Sequence, residues 1–429
     1  MQYSDKPISK PSQDVLGRAP FALRLAKAID NLSAAKDGFV MAVLGGWGSG
    51  KSSVIELTIR YLRHLEMERA STSPSFDNRD AQDCTVAGLE AMSEVYETVS
   101  DQVAVLDNLN LNLNYWQRAQ RIDDFRRWLD SEADAQLADH YWRLKYIIDN
   151  SPRTIVVRFS PWLIAARTEI ARALFSELAR SLGEKLGDEV RQAFAALLQR
   201  LSELAPFAGA AVDLATGFGV GKLVSAGGSW AGKIGAAQSA GPTLDEIRTK
   251  LKSILSGLEG RQILIVIDDL DRLTPPEALE MVSLIKSLGD LPNVIYLLGY
   301  DDAILSKLIH KALRIDGRDF LEKIVQYSAH IPALENGDLT RLLDVDLSAL
   351  LGNLTEQESR RIGQTWYYVF RHYFRTPRHV RRYINSLNVS MSALRGHVDP
   401  IDHILLEVLR LHEPEVYGWL RQNIDEMTT

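Results

Sequence analysis

The chain has a single cysteine, Cys84, among its 429 residues. One thiol forms no intrachain disulfide and no metal site built from several thiolates, and it suits a reducing compartment. The first residues, Met-Gln-Tyr-Ser-Asp-Lys-Pro, hold no apolar core of the kind a secretion signal needs, so the expected location is cytoplasmic. Uninterrupted apolar runs of about 20 residues, the length of a membrane span, are also missing. The nearest candidate, 205–241, is mostly Gly, Ala and Ser and is broken by Asp213, Lys222 and Lys233. Each such charge costs about 2.5–3.5 kcal/mol at the centre of a membrane helix. That stretch is expected to be a glycine-rich loop or small-residue helices packed on protein, and membrane association is not expected. Positive charge is short as well. The net charge of −7 disfavours nucleic-acid binding by bulk electrostatics.

What is present is ordinary globular material, 46% hydrophobic and 24% charged, in a length that accommodates two or three structural units. One stretch organises the rest. Gly45-Gly46-Trp47-Gly48-Ser49-Gly50-Lys51-Ser52 fits G-x-x-x-x-G-K-[ST]. Glycines let the backbone curl so that successive N–H groups face an anion. In that pattern Lys51 reaches the β- and γ-phosphates and the Ser52 hydroxyl binds Mg²⁺. The following helix offers its N-terminus to the same anion, beginning with Ser52 and Ser53. The context agrees: Phe39–Leu44 reads as a buried strand, and Val54, Ile55, Ile59, Leu62 and Leu65 follow at helical spacing.

A second apolar run, Ile263–Ile267, ends in Asp268-Asp269. A buried strand delivering carboxylates to the edge of a parallel sheet completes the pattern. Asp268 is expected to hold Mg²⁺, and Asp269 to orient or deprotonate an attacking water. Further strands are expected over 154–159, 293–299 and 325–331. Asp301, at the end of the third of these four runs, reads equally as a γ-phosphate sensor or as the N-cap of the next helix. The segment 66–150 carries 17 acidic and eight basic residues, so the rest of the chain is slightly positive. It reads as a solvated, largely helical insertion or as a docking element for a partner. Residues 371–395 hold six arginines (371, 375, 378, 381, 382 and 395) and no acid. They read as a nucleic-acid face, as arginines that fold back on the phosphates, or as a solvated helix face. Residues 1–15 read as a loose arm.

Several blocks together resemble the KAP P-loop NTPases. Trp47-Gly48-Ser49-Gly50-Lys51 is similar to the family's loop core, and Leu16-Gly17-Arg18 to its leading segment. Arg158-Phe159-Ser160-Pro161-Trp162 resembles its Phe-Asn-x-Trp strand end, with Ser in place of Asn. Asp268-Asp269-Leu270-Asp271-Arg272 matches its most specific signature. Phe320–Gln326 and Pro377–Asn385 resemble later blocks. The resemblance implies an α/β P-loop NTPase fold: a mostly parallel sheet flanked by helices, a helical insertion and a helical C-terminal subdomain. The expected division is a core of 1–65 with 151–335, an insertion 66–150, the stretch 205–241 within the core, and 336–429. It also implies an ATPase that uses ATP and Mg²⁺ and acts as a switch on partner proteins of a multi-component system, assembled as a homo-oligomer or hetero-complex. Some members are linked to phage exclusion, and others place membrane hairpins where 205–241 lies. On this reading Lys51, Asp269 and an arginine (Arg272, or one among Arg378, Arg381 and Arg382) are the catalytic candidates.

Overall fold

The computed structural model describes residues 7–32, 37–71, 151–164, 170–204, 244–258, 260–335, 337–352, 355–394 and 397–424, with single positions among 85–93 and 141–149. Most of the 66–150 segment, all of 205–241 and Arg395 lie outside the described residues. The chain forms two compact units. One comprises Phe21–Leu44 and Ile55–His330; the other comprises Met1–Pro20, Gly45–Val54 and Ile331–Thr429.

The larger unit is built on five strands: β1 (Phe39–Leu44), β2 (Thr154–Phe159), β3 (Gln262–Ile267), β4 (Val294–Tyr300) and β5 (Tyr327–His330). Their order is β2-β3-β4-β1-β5, and every pairing among them is parallel. All residues of β3 and β4 are buried. That is why Ile263–Ile267 reads as a continuous apolar run rather than an alternating one: helices cover both faces of a parallel sheet. β4 separates β1 from β3, so an additional strand stands between the strand that leads into the glycine loop and the one that ends in the two acids. β5 is shorter than the run 325–331 predicts. The N–H groups of Ile324 and Val325 still bond the Leu321 carbonyl, closing the preceding helix, while Gln326 brackets Val40. Its N–H donates to the Val40 carbonyl at 2.9 Å, and its side-chain oxygen accepts from the Val40 N–H.

Helix α1 (Ala19–Asn31) precedes β1, and α2 (Lys51–Ser71) follows it. With 21 residues, α2 is about 31 Å long. It runs past Leu65, where its apolar spacing fades, because its last turns have polar work to do. Glu66 accepts from the N–H groups of Thr154 (2.7 Å) and Arg153 (3.1 Å), holding the start of β2. Burial pushes the Glu66 carboxyl up from the usual carboxylate range, while these donors pull it down. Glu90 grips the middle of α2: its carboxylate lies 2.8 Å from Arg60 Nε and 2.8 Å from His64 Nδ1, one turn apart. Helices α3 (Ile170–Leu186) and α4 (Asp188–Leu204) form a hairpin, with the Phe175 and Phe194 rings 6.5 Å apart in the core. α5 (Leu244–Ser256), α6 (Pro275–Leu288), α7 (Asp302–Leu313) and α8 (Gly317–Glu322) complete the unit. α6 starts where Thr274-Pro275-Pro276-Glu277 predicts, Glu277 accepting from the Thr274 N–H at 2.9 Å.

In the smaller unit, α9 (Asp338–Leu351), α10 (Glu356–Thr365), α11 (Pro377–Leu394), α12 (Pro400–His412) and α13 (Pro414–Gln422) form the helical part. Its core gathers Leu342, Leu347, Phe370, Phe374, Tyr383, Leu387 and Ile404. The buried Tyr383 hydroxyl donates to the Ile404 carbonyl at 2.8 Å, which fixes α11 on α12 and leaves no unpaired polar group there.

Candidate nucleotide site

β1 ends at Leu44 and β3 at Ile267. In a parallel sheet both C-terminal ends lie along one edge, where open α/β sheets place their ligands. The glycine loop continues directly from β1. Gly48 and Gly50 have φ of +74° and +94°, conformations that side chains rarely adopt and that curl the loop. The Ser49 N–H closes the turn on the Gly46 carbonyl at 3.1 Å. The buried Lys51 folds back along the loop, donating from Nζ to the carbonyls of Gly45 (2.9 Å) and Gly46 (3.4 Å). Ser52 and Ser53 open α2, and Ser53 Oγ accepts from the Ile8 N–H at 3.2 Å.

Within the same unit the start of α11 lies against this loop. A Cβ at Gly48 would come 3.0 Å from the Cβ of Arg378 and 3.3 Å from Thr376 Oγ1. The Arg378 guanidinium carbon is 5.8 Å from the centre of the exposed Trp47 ring, in cation–π range. Of the three arginine readings, the structure therefore sets Arg378 beside the phosphate loop. Arg381 is half-buried on the same helix, and Arg371, Arg375 and Arg382 are exposed.

In the larger unit, Asp268 and Asp269 follow β3 directly. Asp268 Oδ1 accepts from the Asp269 N–H at 2.8 Å. Asp269 is in the left-handed region (φ 62°, ψ 35°), which Asp tolerates better than most residues. Its Oδ1 lies 2.9 Å from Arg272 Nε, and the Arg272 guanidinium stacks 4.9 Å from the Trp162 ring centre. So two blocks that are far apart in sequence, Arg158–Trp162 and Asp268–Arg272, meet at the ends of neighbouring strands. Asp301 Oδ1 accepts from the N–H groups of Ala303 (3.0 Å) and Ile304 (3.2 Å), the geometry of the N-cap reading.

Two residues with a hand in this arrangement escaped the reading of motifs. Gly299, inside β4, has Asp268 where its Cβ would be: Oδ1 would sit 2.2 Å away. A glycine in an otherwise apolar strand is the available signal, since it marks the close approach of another group. Arg18, named only as part of a leading segment, donates from Nη1 to the Ser49 carbonyl. The gap of 31 residues between them carries no periodic signal.

These residues fit a nucleotide with Mg²⁺. The loop has the backbone curl, the lysine and the helix N-terminus that phosphates require, and Gly299 leaves room for the Asp268 carboxylate. Among the described residues no group of three or more His, Cys, Asp or Glu gathers to hold a metal alone. Mg²⁺ needs none, because it keeps several waters and takes one or two protein oxygens plus phosphates. Also among the described residues, no helix is long and apolar enough to cross a membrane.

A parallel sheet in this strand order with this loop after β1 defines a P-loop nucleotide triphosphatase. The family model for the KAP family P-loop domain matches residues 18–394, and the chain belongs to that family. Among curated proteins it is similar to the phage T7 exclusion protein of Escherichia coli (strain K12), with 30% identity over 191 residues. That match covers 43% of this chain and a quarter (25%) of the relative. Among solved structures it is similar to the ORC2 protein of Aeropyrum pernix (10% identity, TM-score 0.42, covering 96% of this chain and 73% of that one). It is also similar to a Walker-type ATPase of Pyrococcus abyssi (10% identity, TM-score 0.35, covering 99% and 80%).

Proposed function

We propose that the chain is a Mg²⁺-dependent ATPase whose hydrolysis switches its conformation and so controls partner proteins, in defence against phage. The observation that carries the reading is the phosphate loop, with Gly48 and Gly50 at positive φ and Lys51 folded along it. The exclusion of phage T7 by the relative supports the biological setting.

Lys51 exchanges its bonds to the Gly45 and Gly46 carbonyls for β- and γ-phosphate oxygens. Ser52 and Asp268 would hold Mg²⁺, which when bound would supply positive charge to neutralise the phosphates. Asp269 orients the attacking water or takes its proton. Arg378 balances charge that develops at the γ-phosphate, and its contact with the loop favours it over Arg381 and Arg382. Arg272 keeps Asp269 in place through the 2.9 Å ion pair. A partner engages the 66–150 segment, and the grip of Glu90 on Arg60 and His64 supports a path from there to α2.

Steady-state phosphate release from ATP by the purified chain tests this. Turnover that requires Mg²⁺ supports the proposal, and binding without turnover would make the chain a scaffold that uses ATP structurally. The role of Asp268 has its own check. Gly299→Ala forces its carboxylate to move, and the expected result is a 10–100-fold loss in apparent Mg²⁺ affinity, roughly the usual cost of disturbing a ligand's support. A Mg²⁺ titration of turnover reads it.

A further inference from the structure

Residues 7–18 are not a loose arm. They hold the phosphate loop at two points and reach the helical core of the same unit. Ile8 bonds Ser53, and Arg18 bonds the Ser49 carbonyl. Between these points Pro11–Gln13 make one 3₁₀ turn, and Val15 packs against the core around Leu342 and Phe374. Asp14 Oδ2 accepts from the Ala19 N–H at 2.6 Å, just after Arg18.

Arg18 is buried, with 6% of its surface exposed. A buried guanidinium is costly unless charge and hydrogen bonds compensate it. Burial pulls its pKa down, and the carboxylates of Asp14 and Asp338 offset this. Asp338 is the first residue of α9, and its Oδ2 accepts from the Glu335 N–H at 2.7 Å. The fit at the loop is close, since a Cβ at Gly50 would sit 2.9 Å from Arg18 Nη1.

The peptide joining Ser49 to Gly50 is planar and trans, so its C=O and N–H point in opposite directions. A guanidinium that fixes the Ser49 carbonyl therefore also fixes the direction of the Gly50 N–H. We infer that Arg18 is a positioning residue for the phosphate loop: it turns the Ser49–Gly50 peptide so that its N–H faces bound phosphate. This rests on the reading of the loop as an ATP site. Arg18 touches no phosphate in this role; it acts through the loop backbone.

The test measures ATP binding by calorimetry and steady-state kinetics on full-length wild type, Arg18→Ala and Arg18→Lys, with Lys51→Ala as control. Arg18→Ala is expected to weaken ATP binding about tenfold or more, the scale of one charge-assisted hydrogen bond. KM should rise while kcat changes little, because the oriented N–H serves ground and transition states alike. Arg18→Lys, which retains a donor, should recover part of the loss while melting near wild type. Wild-type ATP affinity in Arg18→Ala, or in Arg18→Lys should the alanine variant not fold, overturns the inference. So does a loss confined to kcat. If Lys51→Ala still binds ATP, the ATP-site reading has failed. If only Lys51→Ala loses binding, the role of Arg18 alone falls.

Discussion

Lys51→Ala is expected to abolish measurable ATP binding and, with it, turnover. Lys51 carries a buried ammonium whose donors rest on the loop's own carbonyls at 2.9 and 3.4 Å. On the proposed reading the same donors serve phosphate oxygens when nucleotide binds. A hydrogen bond from a charged group contributes about 1.5–3 kcal/mol, so losing two weakens binding by about 10²-fold or more. Calorimetry reads this directly. Thermal unfolding gives an independent view. ATP at about 100 times its Kd stabilises the wild type by about 2.7 kcal/mol, a rise in melting temperature of a few degrees. The alanine variant should show no such rise. An unchanged affinity would mean that the loop is not the nucleotide site.

Asp269→Asn should separate binding from chemistry. Asparagine has nearly the same shape as aspartate and tolerates the left-handed backbone at φ 62° equally well, so the turn after β3 survives. Its amide oxygen can still accept from Arg272. What disappears is the carboxylate proposed to orient the water or take its proton, an effect of about 10²–10⁴ in rate. The expected outcome is ATP affinity within a few-fold of wild type and kcat lower by that factor. Normal hydrolysis by Asp269→Asn would remove Asp269 from the catalytic role. Asp269→Ala is the poorer test, because alanine resists a positive φ and would disturb Asp268 through the adjoining peptide.

The strands were legible because burial on both faces leaves an unmistakable mark: Phe39–Leu44 and Ile263–Ile267 are runs with no polar member. The loop and the two acids were legible because phosphate chemistry tolerates few spellings. Strand order was not readable from periodicity, since nothing local tells β4 to lie between β1 and β3. The order is visible only in the folded sheet. β5 was expected, but it starts later than 325 because Val325 is a β-former by composition that is claimed by the last turn before it. The last turns of α2 were missed for the opposite reason: Glu66 is buried and polar, and its partners lie 87 and 88 residues away. Arg18 and Arg378 share that difficulty. Their proximity to the loop is a property of the folded unit, with no trace in local pattern.

The position of β2 has an evolutionary consequence. It is an edge strand, with β3 and β4 standing between it and β1. The two longest stretches between strands, 66–150 and 205–241, fall in the connections immediately before and after it, while β3, β4 and β5 are joined by shorter ones. Length can therefore be gained, lost or exchanged at this margin while the strands beside the phosphate loop keep their neighbours. A lineage built this way can rewrite the margin and inherit the order of its central strands intact.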